Sequence, residues 1–231
     1  MILIIVAKFI AVMIIGYLLG SIPSGVLVGR RFAKVDVRAY GSGKIGTTNV
    51  LRVAGKKAAV MVVALDVLKG ALAVVIAGLI FGRNYLIWRD IGLGLMSAQV
   101  LAALAAMAGH NWSIFLNFRG GRGVATFFGG LIALCPVVGL FGGEVAVVGA
   151  GLTKFASLGS IAGVVGTYAI LVPLTIINGF PIEYLIYTLI GTIAIIVMHR
   201  DNIARLLAGK ERRLGEKVNA KDSPNISDTM R

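Results

Sequence analysis

Two loops and two short polar stretches of this chain carry residue types that hold anions. The first loop reads GSGKIGTTNVLR over residues 41–52, and the second reads HNWSIFLNFRGGRGVAT over 110–126. In the second, Arg119, Gly120, Gly121, Arg122 and Gly123 run directly into an apolar, helix-forming stretch. Glycines let backbone N–H groups approach an anion closely, and a helix start adds the positive end of its dipole. Arginine supplies planar, bidentate donors for phosphate oxygens. The first loop repeats the idea, with Ser42, Thr47, Thr48 and Asn49 as further hydrogen-bonding groups and Arg52 at its end. The stretches SLGS (157–160) and HRDNIARLLAGKE (199–211) add Ser157, Ser160, His199 and Asn202. The only two histidines, His110 and His199, each open one of these motifs. The chemistry expected is phosphate recognition.

Other readings of the same residues fail on context. Gly41, Gly43 and Gly46 spell G-x-G-x-x-G, but no strand precedes them and no βαβ unit surrounds them. Lys44 is followed by Ile45 rather than Ser or Thr, so the loop is not a P-loop. There is no H-x-x-x-x-D pair, no G-x-S-x-G and no Cys/His cluster, and the histidines are far apart, so no metal and no cofactor are expected. The single cysteine, Cys135, lies in an apolar run and cannot form an internal disulfide.

The elements that must position these loops are membrane helices. Hydrophobic residues make up 58% of the chain and charged residues only 14%, against roughly 25% charged in a soluble domain. Several apolar runs approach the roughly 20 residues that cross a bilayer. They are continuous rather than alternating, which favours helices over a barrel. The expected architecture is an all-α polytopic membrane protein with about seven transmembrane helices, near 2–29, 58–82, 91–109, 123–134, 137–153, 159–178 and 183–198. The first run is too long for a signal-peptide core and shows no cleavage pattern, so it is read as an uncleaved helix. Pro136 supports the break between the fourth and fifth helices. Residues 1–211 form one domain, and 212–231 is a polar, disordered tail.

Charge orients this bundle. Nineteen Lys and Arg fall in segments 30–57, 110–122, 154–158 and 199–231, against two, Arg83 and Arg89, on the other side. The positive-inside rule then places the N-terminus outside and the C-terminus in the cytoplasm, with every phosphate-type motif on the cytoplasmic face. The net charge of +13 is accounted for by topology, and no nucleic-acid partner is expected. Arg30, Arg31, Lys34, Lys56 and Lys57 are read as headgroup flanks. Asp66 and Lys69, three residues apart within a helix, are read as an intramembrane ion pair, while Glu144 has no partner nearby in sequence.

The set GSIPSG (20–25), GSGKIGTTNVLR, DVLKG (66–70), HNWSIFLNFRGGRGVAT, SLGS and HRDNIARLLAGKE, in this order over about residues 10–211, resembles the bacterial PlsY family. These are integral-membrane glycerol-3-phosphate acyltransferases that use acyl phosphate. The resemblance implies acyl transfer to the primary hydroxyl of glycerol 3-phosphate, giving lysophosphatidic acid and phosphate, at the cytoplasmic face of the bacterial inner membrane. It needs no obligate protein partner. It implies Ser42, Asn49 and His199 as catalytic, and Thr48, Arg52, His110, Arg119, Gly120, Gly121, Arg122, Gly123, Ser157, Ser160 and Asn202 as substrate-binding. The family usually has Asn and Ala where this chain has Lys44 and Thr47, Pro at Ser113, and Lys at Arg119 and Arg122. The arginines keep an anion site but supply no lysine that could deprotonate.

An acyl phosphate is already activated, so such a site mainly holds two anions together and stabilises an oxyanion. The attacking hydroxyl can lose its proton to a substrate phosphate, with His199 as the rival base. The competing class is a transporter of phosphorylated small anions, but transporters favour midplane sites and internal repeats, and neither pattern is present here. The charge asymmetry makes a direct prediction. In a Cys135→Ala background, single cysteines at 44, 122 and 210 should label from the cytoplasmic side and one at 86 from outside. Labelling of position 86 from inside alone contradicts this orientation.

Overall fold

The computed structural model describes residues 2–88 and 91–216. Among these the chain forms nine α-helices and one two-stranded antiparallel hairpin. The helices are α1 (Ile2–Ser21), α2 (Ser24–Ala33), α3 (Thr47–Phe81), α4 (Leu95–Asn111), α5 (Val124–Leu134), α6 (Pro136–Thr153), α7 (Ala156–Asn178), α8 (Ile182–Met198) and α9 (Arg200–Leu207). The hairpin strands are β1 (Leu86–Trp88) and β2 (Ile91–Leu93). Four helical segments are long and apolar enough to cross a membrane: Ile2–Ala33, Thr47–Phe81, Pro136–Thr153 and Ala156–Ile177. The α8–α9 pair, bent by 59°, makes a fifth if it counts as one span. At 11 residues, α5 is about 16 Å long, short of the roughly 30 Å hydrocarbon core. It is a buried wedge, with Thr126 through Leu131 all shielded by neighbouring helices.

Every apolar helix expected from the sequence is present, but three boundaries move for local reasons. The first expected helix divides at Ile22 and Pro23, because proline removes an N–H and disfavours helical backbone at the residue before it. The expected loop 30–57 is largely structured: α2 ends in it and α3 begins at Thr47. Gly55 separates the first eight residues of α3 from its membrane portion, with φ 82° and ψ −177°, a conformation that glycine alone adopts readily. The expected loop 83–90 contains β1, and α4 starts at Leu95 rather than 91. Arg89 and the part of the expected tail beyond Glu216 lie outside the described residues.

Small residues let these helices approach closely, as membrane bundles require. On α1, a Cβ at Gly20 would run into the Ala106 carbonyl of α4. Where α3 crosses α5, a Cβ at Gly70 would strike the Thr126 carbonyl, and one at Gly129 the Val67 carbonyl. Phe127 of α5 stacks on Tyr187 of α8, with centroids 5.1 Å apart and planes at 8°. The Tyr187 hydroxyl donates to the Phe127 carbonyl at 2.9 Å.

One polar cluster interrupts the apolar interior. Lys69 Nζ lies 2.8 Å from Asp66 Oδ1, the expected ion pair. It also reaches His110 Nδ1 at 2.8 Å and the Ile22 carbonyl at 3.2 Å. Ser24 Oγ donates to Asp66 Oδ1 at 2.8 Å. Buried charges persist when paired and hydrogen-bonded in this way.

The glycine contacts predict where substitution fails. Gly129→Leu forces four heavy atoms into the α3–α5 crossing and should destabilise the protein by about 3 kcal/mol or more. Gly143→Leu, on the open side of α6 where no atom lies within 4 Å of a Cβ, should shift the melting temperature little. Thermal unfolding of both variants in detergent checks the contrast.

Candidate active site

A solvent-open cleft of about 370 Å³ forms where the helix breaks meet at one end of the bundle. Ser42 comes from the first loop, and Thr48 and Arg52 from the segment of α3 before Gly55. Arg122 precedes α5, Ser157 and Ser160 lie on the first turns of α7, and His199 and Asn202 sit at the bend between α8 and α9. Motifs spread over 160 residues of sequence therefore share one cavity.

The cleft is rich in cations with few carboxylates. Arg122 has no hydrogen-bond or ion-pair partner among the described residues, and its Nε is sealed from solvent. Burial and the nearby Arg205 push its guanidinium down to about 10. Among the described residues Arg52 reaches only the backbone carbonyls of Arg212 and Arg213, at 3.4 and 3.3 Å, and its own Nε is buried without a partner there. Burial, and then Arg122, also lower Lys44 below the usual lysine range. Crowded arginines with buried, unused donors form a site that an anion would complete.

His199 is held in one tautomer. Its Nδ1 lies 2.8 Å from the Ile195 carbonyl, which can only accept, so Nδ1 carries the hydrogen and Nε2 keeps its lone pair. Burial first, then Arg122, depresses the imidazole to about 4. At neutral pH it is therefore an uncharged acceptor and a weak base.

Sequence reasoning missed three charged residues of the cleft, Arg205, Glu211 and Arg212, and the small Ala156 beside them. Glu211 accepts from Ser157 Oγ at 3.0 Å, Asn202 Nδ2 at 2.6 Å and Arg205 Nε at 2.8 Å. Burial raises its carboxyl, but these three hydrogen bonds outweigh that and hold it below the usual carboxylate range. The segment that carries it crosses the cleft edge and is pinned by the Leu214 N–H to the Lys154 carbonyl at 2.7 Å. A signal existed for Arg205: His199, Asn202 and Arg205 recur every three residues, on one side of an amphipathic helix.

Several expected site residues lie elsewhere. Asn49 is buried behind the first loop and is not a cleft-lining residue. Its Nδ2 donates to the Val37, Tyr40 and Lys44 carbonyls at 2.8, 3.1 and 2.9 Å, and its Oδ1 accepts from the Ser42 N–H at 3.0 Å. It shapes the loop, and all its donors are spent doing so. His110 is buried in the Asp66–Lys69 cluster. Arg119 is exposed outside the cleft. The Gly120 and Gly121 N–H groups donate to the Asn111 and His110 carbonyls at 3.1 and 2.9 Å, so they tie the loop to the end of α4 rather than face an anion. Gly123 caps α5 with φ 78°, and a Cβ there would press on Asn111 Oδ1.

Comparison with known proteins agrees with this geometry. Residues 10–209 match the family model described as glycerol-3-phosphate acyltransferase. A relative of that name from Dehalococcoides mccartyi, glycerol-3-phosphate acyltransferase 3, is 63% identical over 92% of this chain and 99% of its own. Another, from Thermoanaerobacter pseudethanolicus, is 42% identical over 90% of this chain and 96% of its own. The fold is similar to a crystal structure of PlsY, an integral membrane glycerol 3-phosphate acyltransferase, in its glycerol 3-phosphate form. The TM-score is 0.75 and the identity 35%, over 89% of this chain and 94% of that one. The lysophosphatidic acid form of PlsY gives a TM-score of 0.74 at 34% identity.

The depressed imidazole makes stability depend on pH. Below about pH 6.5 the unfolded chain protonates His199 and the folded chain does not, so stability falls as pH drops and the loss is complete near pH 4. The contribution is about 3 kcal/mol. A His199→Gln variant should lack this part of the acid destabilisation. Identical pH–stability curves for the two proteins between pH 7 and 4 contradict the buried, neutral assignment.

Proposed function

This chain belongs to the glycerol-3-phosphate acyltransferase family, and from that premise we propose that it transfers a fatty acyl group from acyl phosphate to the primary hydroxyl of glycerol 3-phosphate. The products are lysophosphatidic acid and inorganic phosphate. The observation that carries this reading is the cleft itself: Arg52, Arg122, Arg205 and Arg212 converge there with, among the described residues, a single carboxylate, Glu211. Such a site suits two phosphate-bearing substrates at once. We also read seven apolar helices, α1, α3, α4, α5, α6, α7 and α8, as membrane-embedded, with the N-terminus outside and the cleft facing the cytoplasm of a bacterial inner membrane. The charge asymmetry supports that orientation.

The chemistry follows from what the cleft contains. The acceptor hydroxyl attacks the acyl carbonyl, a tetrahedral oxyanion forms, and its collapse expels phosphate. Cations and hydroxyl donors such as Ser42 and Thr48 stabilise the charge that develops. The hydroxyl proton passes to a phosphate oxygen of a substrate. His199, an imidazole held near 4, is a poor proton acceptor at neutral pH, and its free Nε2 is suited to orienting a hydroxyl. Ser157 and Ser160 already donate to Glu211 and to the Ala156 carbonyl. Glu211 is held below the usual carboxylate range by its bonds to Asn202 and Arg205, and a backbone carbonyl takes no proton, so neither serine faces a base strong enough to make it a nucleophile. The donor's chain stays in the apolar phase, each buried CH₂ contributing about 0.8 kcal/mol.

The test is an assay of purified protein with glycerol 3-phosphate and either acyl phosphate or acyl-CoA. Acyl phosphate should support lysophosphatidic acid formation with one phosphate released per product, and acyl-CoA should be a poor donor. Comparable turnover with acyl-CoA refutes the donor assignment. In the same assay Arg52→Ala should lower kcat/KM for glycerol 3-phosphate at least tenfold, since a charged hydrogen bond contributes about 1.5–3 kcal/mol. Arg30→Ala should change it little, because that side chain is exposed and reaches only Asp36. Equal effects would make the first loop a headgroup anchor.

A further inference from the structure

The Asp66–Lys69–His110 cluster is a set of buried ionisable groups outside the cleft, to which the chemistry above assigns no step. We propose that, together with Ser24, it is a positioning device that sets where Arg122 and Ser42 stand in the cleft. This rests on the reading of the cleft as the substrate site.

Two arms connect the cluster to those residues. The first runs through His110 to the second loop. Lys69 is a donor only, so its 2.8 Å contact makes His110 Nδ1 an acceptor and places the ring hydrogen on Nε2. That ring edge lies against Gly121 so tightly that a Cβ there would strike Nε2. The Gly121 N–H donates to the His110 carbonyl at 2.9 Å, and the Gly120 N–H to the Asn111 carbonyl at 3.1 Å. Arg122 is the next residue, so the imidazole is the wall from which it projects.

The second arm runs through the break between α1 and α2. Lys69 holds the Ile22 carbonyl and Asp66 holds the Ser24 hydroxyl, which fixes the start of α2. Gly25 then packs against the Ile45 carbonyl, where no Cβ would fit. Ile45, Val26 and Leu116 form a small buried core that joins α2 to both loops. Ser42 stands three residues before Ile45. An intramembrane charge here therefore acts as a joint between a helix break and two substrate loops.

His110→Asn tests the first arm. Its Oδ1 can still accept from Lys69, but the ring edge beside Gly121 is gone. KM for glycerol 3-phosphate should rise at least tenfold, with kcat changed less than threefold. Gly121→Ala, which pushes on the same edge from the loop side, should raise KM similarly. The double variant should be less impaired than the product of the two single effects. Tyr187→Phe, which loses a buried hydrogen bond between α8 and α5 and touches neither arm, should lower the melting temperature and leave KM unchanged. A wild-type KM in folded His110→Asn overturns the proposal, and so does an equal KM change in Tyr187→Phe. If His110→Asn does not fold, Ser24→Ala decides by removing one bond to Asp66: a KM rise of about threefold supports the positioning role, and a wild-type KM overturns it. Inorganic phosphate binding, measured in parallel, separates the two levels of inference. A wild-type protein that binds phosphate but makes no lysophosphatidic acid defeats the proposed function alone. Positioning then still requires tenfold weaker phosphate binding in His110→Asn, and equal binding overturns it.

Discussion

An ammonium group inside an apolar bundle has three protons to place and no water to take them. Lys69, 5% exposed, places them on Asp66, on His110 and on the Ile22 carbonyl. Those partners belong to α3 itself, to the end of α4 and to the break after α1. The cost of leaving any of them unpaired in low dielectric is several kcal/mol. The three segments must therefore meet at one point, and they meet beneath the cleft. Much of the architecture reads as a consequence. The break that Pro23 makes brings the Ile22 carbonyl to Lys69, and the second loop folds back on the end of α4 against His110.

Above that joint, charge is arranged the opposite way. The cluster is neutralised internally, whereas Arg122 and Arg52 keep buried Nε donors without partners among the described residues. Glu211 ties together Ser157, Asn202 and Arg205, three groups from α7 and α9, and among the described residues is the only carboxylate lining the cleft. It orders the donors on one wall while the cations on the other stay uncompensated. Membrane proteins tolerate such an imbalance where a ligand supplies the opposite charge or a water-filled cavity solvates the cations. A site of this kind suits a reaction whose reactants bring their own leaving group and their own proton acceptor. It needs electrostatic preorganisation more than an activated side chain.

Much of this was legible in the residues. Apolar runs located the helices, Pro136 the break before α6, and the Gly-rich basic motifs the segments that converge. The spacing of Asp66 and Lys69 announced their pair. What the sequence hid was of two kinds. Amphipathic α9 and the start of α3 look like loops in sequence because their polar faces are as rich in charge as a solvated connection. Hydrogen-bond direction was also invisible. Gly120, Gly121 and Asn49 have the composition of an anion cradle, yet their polar groups are consumed by Asn111, His110 and the first loop's own carbonyls. Composition shows which groups can bond, and only the fold shows which have already done so. His110 illustrates this best: it belongs to a phosphate-type motif by sequence and to an ion cluster by packing.

The central claim is that the acyl group passes directly between two anions held together, with no covalent step on the protein. Rapid-quench measurement of phosphate release from acyl phosphate, with and without glycerol 3-phosphate, examines this most directly. Direct transfer predicts that phosphate appears only when the acceptor is present, with no burst in its absence. A burst of about one phosphate per chain from acyl phosphate alone would mean that a side chain such as Ser42 takes the acyl group first, and would contradict it.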